Sequence, residues 1–320
     1  MALTITRRTA LAALGSAMLA TTVRAADLQR VRVSIIPITD LTPLFVGMHR
    51  GFFRDEGLEI DTSPSSGGAT GIPGLVAGSY DIAFSNVVSM LLAASQGIDV
   101  RVIAAGVKTV KEEDDFTGIV VRKDSGIRSG KDLEGKSVAV NTRNNVIWLY
   151  ARAWIKATGG DPDRVTYKEV PHPQMEDAIT RKQVDAGFMV PPFIGVATAK
   201  GEVEAIAKPY SVVQPGLDVG EYLATATFLK SNAATVDKFT KALRRSVEWC
   251  NANLSNPEVL PIMAGFTRLD VAVLKDTPLK SFPLRVDPPQ LEKTMNLMVE
   301  NKLLRSPLDV KPLIAPAALQ

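Results

Sequence analysis

Apolar and polar residues alternate along this chain in short blocks that predict strands followed by helices. Residues 31–36 (VRVSII) alternate and then become apolar, which is typical of a buried strand. From Pro43 the apolar positions follow helical spacing until Gly57. Further strands are predicted at residues 58–62, 80–84, 100–105, 119–121, 137–140, 165–169, 184–189 and 203–207, with helices at 86–96 and 144–158. This alternation indicates an α/β fold built from βαβ units.

The last third of the chain has a different pattern. Residues 234–253, 257–265 and 288–304 have the spacing of helices joined by short loops. There is no internal repeat and no low-complexity linker between the α/β blocks. We therefore predict two α/β lobes joined by paired strands, with a hinge between them. The first lobe is expected to contain residues 26–121 and 224–320, and the second lobe residues 122–223.

The charge of the chain depends on its first segment. The sequence has 37 Lys and Arg residues against 34 Asp and Glu residues. Arg7, Arg8 and Arg24 lie in residues 1–25, which contain no acidic residue, so the rest of the chain is neutral. A basic start, an uncharged Ala- and Leu-rich run and small residues at Val23 and Ala25 are typical of a signal peptide. The paired arginines resemble a twin-arginine export signal. Export in the folded state by the twin-arginine route and in the unfolded state by general secretion both stay open.

The mature chain is expected to be a soluble, monomeric protein of the periplasm. Cys250 is the only cysteine, which leaves no intramolecular disulfide and no lipid-anchor cysteine after the signal. Hydrophobic residues make up 46% and charged residues 22%, which excludes a disordered chain and a multi-span membrane protein. The neutral charge of the mature chain does not fit a nucleic-acid partner.

Residues that could support catalysis are few. His49 and His172 fall in different predicted lobes, and Cys250 follows an aromatic residue on a helix, as a small buried hydrophobe would. His172 lies between two prolines and could border a cleft. No spacing matches a zinc site, a calcium site or a nucleophile motif, so we expect no metal, no cofactor and no enzymatic activity.

Polar loops after the predicted strands are the candidate ligand-binding residues. In an open α/β sheet, ligands bind beyond the carboxyl ends of the strands, near helix N-termini. Each polar residue could also simply cap its helix. The candidates are Thr39, Asp40 and Leu41 after the first strand, Ser65, Ser66, Gly67 and Gly68 after the second, Ser85 and Asn86 after the third, and Thr142, Arg143, Asn144 and Asn145 in the second lobe.

Arg143 indicates the chemistry of the ligand. A cation beside a helix N-terminus opposes the helix dipole, and this placement is more favourable if an anion lies between the two. We therefore expect Arg143 to bind the acidic group of a small organic anion. Asp40 opposes this interpretation, unless it caps its helix or accepts a hydrogen bond from the ligand.

The sequence around these loops resembles the solute-binding proteins of ABC importers, in the branch that includes binders of sulfonates, taurine, nitrate and thiamine precursors. The matching segments are DLTPLFV at 40–46, RGFFRDEGLEI at 50–60, the glycine pair 67–68, LVAGSYDIAF at 75–84, DLEGKSVAV at 132–140 and VDAGF at 184–188. Residues 190–193 read VPPF where that family usually has VEPF, which argues against a ligand cation held there as in the thiamine-precursor binders. Pro192 and Phe193 of this segment are further binding candidates.

This resemblance implies a type II periplasmic binding fold, in which two lobes close on a ligand. It implies that the protein passes a small molecule, an aromatic carboxylate or a sulfonate-like anion, to a permease in the inner membrane and its ATPase. Three alternatives stay open: a binder of pyrimidines, thiamine precursors or flavins, a sensory protein that presents its ligand to a receptor, and an enzyme similar to the fungal pyrimidine-precursor synthases. Those synthases use a cysteine-rich motif that this chain does not have.

We predict cleavage of the export signal after Ala25, because small residues stand at the two positions that signal peptidase reads. N-terminal sequencing of the protein recovered from the periplasm is expected to start at Ala26. Recovery of a chain that still carries Arg7 and Arg8 would contradict the prediction.

Overall fold

The fold is described from a computed structural model, which covers residues 28–110, 115 and 117–320. The predicted export signal lies outside the described residues. The strands are β1 (Gln29–Ile35), β2 (Leu58–Pro64), β3 (Ile82–Asn86), β4 (Val100–Lys108), β5 (Gly118–Arg122), β6 (Ser137–Val140), β7 (Thr166–Glu169), β8 (Ala186–Met189), β9 (Val203–Ala207) and β10 (Asp218–Thr225).

The helices include all those predicted from the sequence and several shorter ones. They are α1 (Thr42–His49), α2 (Phe52–Asp55), α3 (Gly68–Val76), α4 (Val87–Ser95), α5 (Val146–Ala157), α6 (Met175–Thr180), α7 (Phe193–Ala199), α8 (Pro209–Val213), α9 (Ala226–Ser231), α10 (Ala233–Ala252), α11 (Val259–Thr267), α12 (Val271–Leu274) and α13 (Pro288–Glu300). No helix among the described residues is long and apolar enough to cross a membrane.

Two five-stranded sheets have the same topology. The first has the order β2-β1-β3-β10-β4, and the second has the order β7-β6-β8-β5-β9. In each sheet the first three strands run parallel, and the fourth runs antiparallel to both of its neighbours. This is the two-lobed α/β arrangement of the type II periplasmic binding fold, as predicted.

Each sheet is buried on the strand positions that the apolar pattern indicates. Val31, Val33 and Ile35 of β1 are all buried in the first lobe. Tyr222 on β10 makes edge-to-face contacts with Phe84 and with Phe239 of α10. Such pairs stabilise a core beyond the area they bury. The first core therefore extends from the sheet to α10, which explains why the C-terminal helices belong to the first lobe.

The chain crosses between the lobes twice, and the two crossings contact each other. The first leads from β4 to β5 and is described at residues 109, 110, 115 and 117, and the second is residues 208–217, from β9 to β10. The amide of Thr109 donates to the carbonyl of Leu217 at 2.8 Å. The strands that enter and leave each crossing are paired in both sheets, as the sequence predicted. These two segments form the hinge.

The lobe boundaries differ from the predicted ones by one strand at each crossing. The prediction ended the first lobe at residue 121, but β5 belongs to the second sheet. It also ended the second lobe at residue 223, but β10 belongs to the first sheet. Strand β10 has no clean apolar pattern because Asp218 and Glu221, both buried, interrupt it. Because β10 was not recognised, the predicted end of the second lobe, residue 223, lies C-terminal to the observed crossing at residues 208–217.

The close approach of α3 to β3 gives a stability prediction. A Cβ atom added at Gly68 would lie 2.7 Å from Ser85 Cα and 2.9 Å from the amide nitrogen of Asn86. Because these are backbone atoms that cannot move aside, Gly68→Ala is expected to lower the free energy of unfolding by about 1–3 kcal/mol. Gly265→Ala on α11 is the control, since a Cβ there meets nothing within 4 Å. The control is expected to leave stability unchanged or raise it by up to about 1 kcal/mol. Equal urea midpoints for the two variants would contradict this packing.

Candidate functional site

A partly open cavity of about 110 Å³ lies between the two lobes. Its walls come from loops after β1 and β3, from the start of α5 and from both crossings. This is the place where ligands bind in open α/β sheets, because the carboxyl ends of the parallel strands face it. The polar and charged residues on its wall are Thr39, Asp40, Ser85, Asn86, Lys108, Thr109, Asp115, Thr117, Asn141, Asn145, His172, Tyr210, Lys280 and Ser281.

Two helix N-termini from opposite lobes meet at this cavity. Asn86 caps α4, where its Oδ1 accepts a hydrogen bond from the Ser89 amide at 2.9 Å. Asn145 caps α5 in the same way, through the Trp148 amide at 3.0 Å. Asn86 Oδ1 also accepts a hydrogen bond from the amide of Val146, the first residue of α5, at 3.2 Å. The positive ends of two helix dipoles therefore point to one space, a place that favours negative charge.

Three polar atoms that border the cavity have no hydrogen-bond partner among the described residues. They are Ser85 Oγ, Thr109 Oγ1 and His172 Nδ1, and each is buried. A buried polar atom without a partner costs about 1–3 kcal/mol. Three such atoms around one space are what a site for a polar ligand requires, since the ligand supplies the missing partners.

Asp40 and Asp115 are two acidic residues of the cavity wall, and they differ in the hydrogen bonds that their carboxylates accept. Asp115 Oδ1 accepts hydrogen bonds from the amide and the hydroxyl of Thr117, at 2.9 and 2.7 Å, and its Oδ2 accepts one from the Ser211 amide at 3.4 Å. Thr117 and Ser211 lie on the two crossings, so Asp115 connects the hinge to the cavity. Burial, reinforced by the charge of Asp115, raises the pKa of Asp40 to about 7.

His172 is enclosed in the second-lobe wall. Its ring stacks on Phe193, with centroids 6.1 Å apart and the planes 8° from parallel. Burial lowers the pKa of His172 to about 4, so the ring is neutral at physiological pH. A neutral imidazole has one donor and one acceptor nitrogen. Depending on the tautomer, Nδ1 can therefore donate a hydrogen bond to a ligand or accept one from it.

The segment 278–282 closes the cavity from the first lobe. It is held to α10 by Asn251, whose Nδ2 donates to the Phe282 carbonyl at 2.9 Å and whose Oδ1 accepts from the Phe282 amide at 2.7 Å. A second, wider cavity of about 690 Å³ adjoins the first and shares Asp115 and Pro278 with it.

Comparison with known proteins agrees with this architecture. The family model described as NMT1/THI5 like matches residues 38–257. The chain belongs to the NMT1/THI5 like family. This confirms the resemblance drawn from the sequence.

Several proteins that are similar to this chain are binding proteins. A Bacillus subtilis (strain 168) protein named as an aliphatic sulfonates-binding protein is 24% identical over 266 residues, which cover 81% of this chain and 76% of that protein. The structure of the alkanesulfonate-binding protein SsuA from Xanthomonas axonopodis pv. citri, bound to MOPS, superposes with a TM-score of 0.75 at 18% identity over 91% of this chain and 99% of the other. The nitrate-binding protein NrtA from Synechocystis PCC 6803 superposes with a TM-score of 0.72 at 15% identity, over 90% and 85% of the two chains.

Some of the candidates chosen from the sequence of this NMT1/THI5 like protein do meet at the cavity. Thr39, Asp40, Ser85, Asn86 and Asn145 line it, and all five lie at the end of a strand, just after one, or at the N-cap of a helix. The sequence reasoning found them because strand ends and helix starts can be recognised from the pattern alone.

Other candidates lie elsewhere. Leu41 is fully buried in the first core, Asn144 is exposed with φ +56°, and Thr142 is buried away from the cavity wall. Pro192 lines the wider adjoining cavity, and Phe193 lies behind His172.

The glycine loop after β2 packs against its neighbours and does not line the cavity. A Cβ added at Gly67 would lie 2.8 Å from Asn141 Nδ2. The Asn141 side chain donates to the Ser66 carbonyl at 3.1 Å, while the Ser65 hydroxyl donates to the carbonyl of Ile35 at 3.1 Å. Ser66 and Gly67 therefore serve the contact between the lobes, whereas Gly68 packs against β3 of its own lobe.

Arg143 does not line the cavity, so the structure does not support the ligand contact expected for it. Its side chain is exposed, and Nη2 donates to the Tyr167 carbonyl at 2.6 Å. The Arg143 amide donates to the Glu169 carboxylate, also at 2.6 Å. The physical reason is the turn before α5. Asn144 adopts a left-handed conformation and Asn145 caps the helix, so Arg143 lies against β7.

The sequence reasoning missed the residues contributed by the hinge and the closing segment. Thr109, Asp115 and Tyr210 lie on the two crossings, and Lys280 lies in the segment 278–282. Asp115, Tyr210 and Lys280 neither directly follow a recognisable strand nor cap a long helix. Thr109 directly follows β4, but the end of that strand was not among the candidate sites. The acidic run from Glu112 to Asp115 predicts a solvated loop near the hinge, and this prediction is wrong for Asp115, which is buried.

The raised pKa of Asp40 predicts a pH-dependent effect of Asp40→Asn on stability. The ordinary pKa of 3.8 applies in the unfolded chain and about 7 in the folded one, so between these values the folded state binds more protons and loses stability as pH rises. The Asn variant escapes this loss. It is expected to be more stable than the wild type by about 2–4 kcal/mol at pH 8, and by almost nothing near pH 4. Chemical denaturation at both pH values measures the difference, and a pH-independent difference would contradict the burial of this carboxyl.

Proposed function

We propose that this protein is the solute-binding component of an ABC importer and that it captures a small organic anion by closing two lobes around it. The observation that carries the proposal is the cavity between the lobes, with Ser85 Oγ, Thr109 Oγ1 and His172 Nδ1 left for a ligand to pair. Membership of the NMT1/THI5 like family and the shared fold with sulfonate- and nitrate-binding proteins support it.

The hinge gives a physical basis for closure. Asp115 borders the cavity and accepts hydrogen bonds from residues on both crossings, so a ligand beside it contacts the part of the chain that must bend. On the opposite side, the bonds from Val146 to Asn86 and from Asn141 to the loop after β2 form only when the lobes meet. Ligand binding thus favours the closed state by its differential contacts, and a permease can recognise that state.

The anionic class of the solute rests on the two helix N-termini. Val146 and Ile147, the first residues of α5, line the cavity. The Val146 amide donates to Asn86 Oδ1 at 3.2 Å, and the Ile147 amide has no acceptor within the helix. Together with the start of α4 they offer positive potential to a carboxylate or a sulfonate. The volume of about 110 Å³ suits a compact organic ion. In this proposal the helix ends take the role that the sequence reasoning gave to Arg143.

The partners proposed from the sequence follow from this function. They are a permease of the inner membrane and its ATPase, which would receive the solute from a monomeric protein in the periplasm. The family relatives named for sulfonate and nitrate binding support a role in capture, with no chemical conversion of the solute.

A thermal-shift panel of carboxylates, sulfonates, pyrimidines and flavins tests the proposal. A solute at 100 times its Kd is expected to stabilise the protein by about 2.7 kcal/mol. Thr109→Val removes a cavity hydroxyl and keeps its shape, so it is expected to weaken binding roughly ten-fold.

Thr142→Val is the matched control, because its hydroxyl is buried and without a partner among the described residues but does not line the cavity. Arg143→Ala is a second control. Both are expected to bind as the wild type does. An equal loss in the Thr142 variant, or a panel in which no solute stabilises the protein, would contradict the proposal.

A further inference from the structure

The carboxylate of Asp40 borders the cavity without a protein partner. No described residue donates a hydrogen bond to it or forms an ion pair with it. Asp115, by contrast, accepts three hydrogen bonds from the hinge. Asp40 is half-buried where it lines the cavity, and a poorly solvated carboxylate without a donor is costly, so proteins normally pair such groups. Asp40 is therefore the acidic group of this wall that a ligand can still satisfy.

The charges around Asp40 limit what that ligand group can be. Asp115 and the phenol of Tyr210 lie close enough to act on it, and the effect of Asp115 is to disfavour a second negative charge. On the same wall His172 is neutral, and Lys108 is paired with Asp287 at 2.7 Å. Lys280 also lines the cavity. An oxyanion placed directly against the Asp40 carboxylate would meet repulsion, because like charges in a poorly solvated space disfavour each other.

We propose that the solute presents a nitrogen-borne hydrogen, from an ammonium, amidine or amino group, to the carboxylate of Asp40. This inference rests on the proposed function, and it defines the solute as an organic acid that also carries a nitrogen donor. The acidic end faces the N-termini of α4 and α5, and the nitrogen end faces Asp40. Asp40 is then the residue that selects among anions of similar size.

The pairing sets the sign of a pH effect. A donor stabilises the ionised carboxylate, so affinity rises with pH up to about the pKa of free Asp40 and is constant above it. Below that pKa, affinity falls by at most ten-fold for each pH unit, because Asp40 must release a proton before it can accept the hydrogen bond. If Asp40 instead donated its proton to an oxyanion, affinity would rise as pH falls.

Methylammonium chloride is a probe small enough for this cavity, and it tests Asp40 without knowledge of the solute. The melting temperature of the mature chain is measured from pH 6 to pH 8.5 in methylammonium chloride and in sodium chloride at equal ionic strength. We expect methylammonium to raise the melting temperature of the wild type above the sodium reference, more so as pH increases. Asp40→Asn, which keeps the side-chain shape, is expected to lose this extra shift.

Asp124→Asn is the matched control, since Asp124 is an exposed acid in the second lobe, paired with Arg122. It is expected to keep the extra shift. The inference is overturned if methylammonium gives no shift beyond sodium, if Asp40→Asn keeps the shift, or if the shift grows as pH falls.

The solute panel separates this inference from the proposed function. A panel solute without a nitrogen donor that stabilises the wild type and Asp40→Asn equally would overturn the role of Asp40 and leave the importer function in place. A methylammonium shift that depends on Asp40, with no response to any panel solute, would support the role of Asp40 and count against the importer function.

Discussion

The N-termini of α4 and α5 come together where the two lobes meet, and Asn86 accepts a hydrogen bond from each of them. Its Oδ1 accepts from the Ser89 amide of its own helix and from the Val146 amide of the opposite lobe. Without that oxygen, the positive ends of α4 and α5 would face each other with unpaired amides in a poorly solvated space. The cavity and its asymmetry of charge both depend on this contact.

The remaining polar groups of the wall form two classes. Asp115 and Asn145 are satisfied by the protein and hold the hinge and α5 in position. Ser85, Thr109 and His172 each keep a buried polar atom without a partner among the described residues, and all three line the cavity. The first class holds the site in its binding geometry. The second class consists of polar atoms whose burial without a partner costs free energy, and a bound solute can offset that cost by pairing with them. This division explains how one closed shape can be both stable and receptive.

The sequence predicted the fold better than it predicted the site. Strands β6 and β9 have the predicted bounds, because an apolar run between turn residues determines a buried strand locally. Strand β10 was missed, since its Asp218 and Glu221 are polar and nevertheless buried. Burial raises the pKa of both, which shows that their environment is a property of the assembled sheet and not of the local pattern.

The same limit explains the errors at the site. A residue such as Asn86 can be recognised locally, because it stands between a strand and a helix. The direction of Arg143 depends on a left-handed residue in the following turn, and the position of Asp115 depends on where two distant crossings meet. Both are determined by tertiary structure, which helix-dipole reasoning on one segment does not include.

Measurement of the distance between the lobes tests the central claim, closure around a solute, most directly. Gln96 and Gln183 are exposed on opposite lobes and can be changed to cysteine for spin labelling. The native Cys250 is buried, and burial raises the pKa of its thiol to about 12, so it should react little. The account predicts a shorter and narrower distance distribution once a stabilising solute is added. An unchanged distribution with the solute demonstrably bound would contradict it.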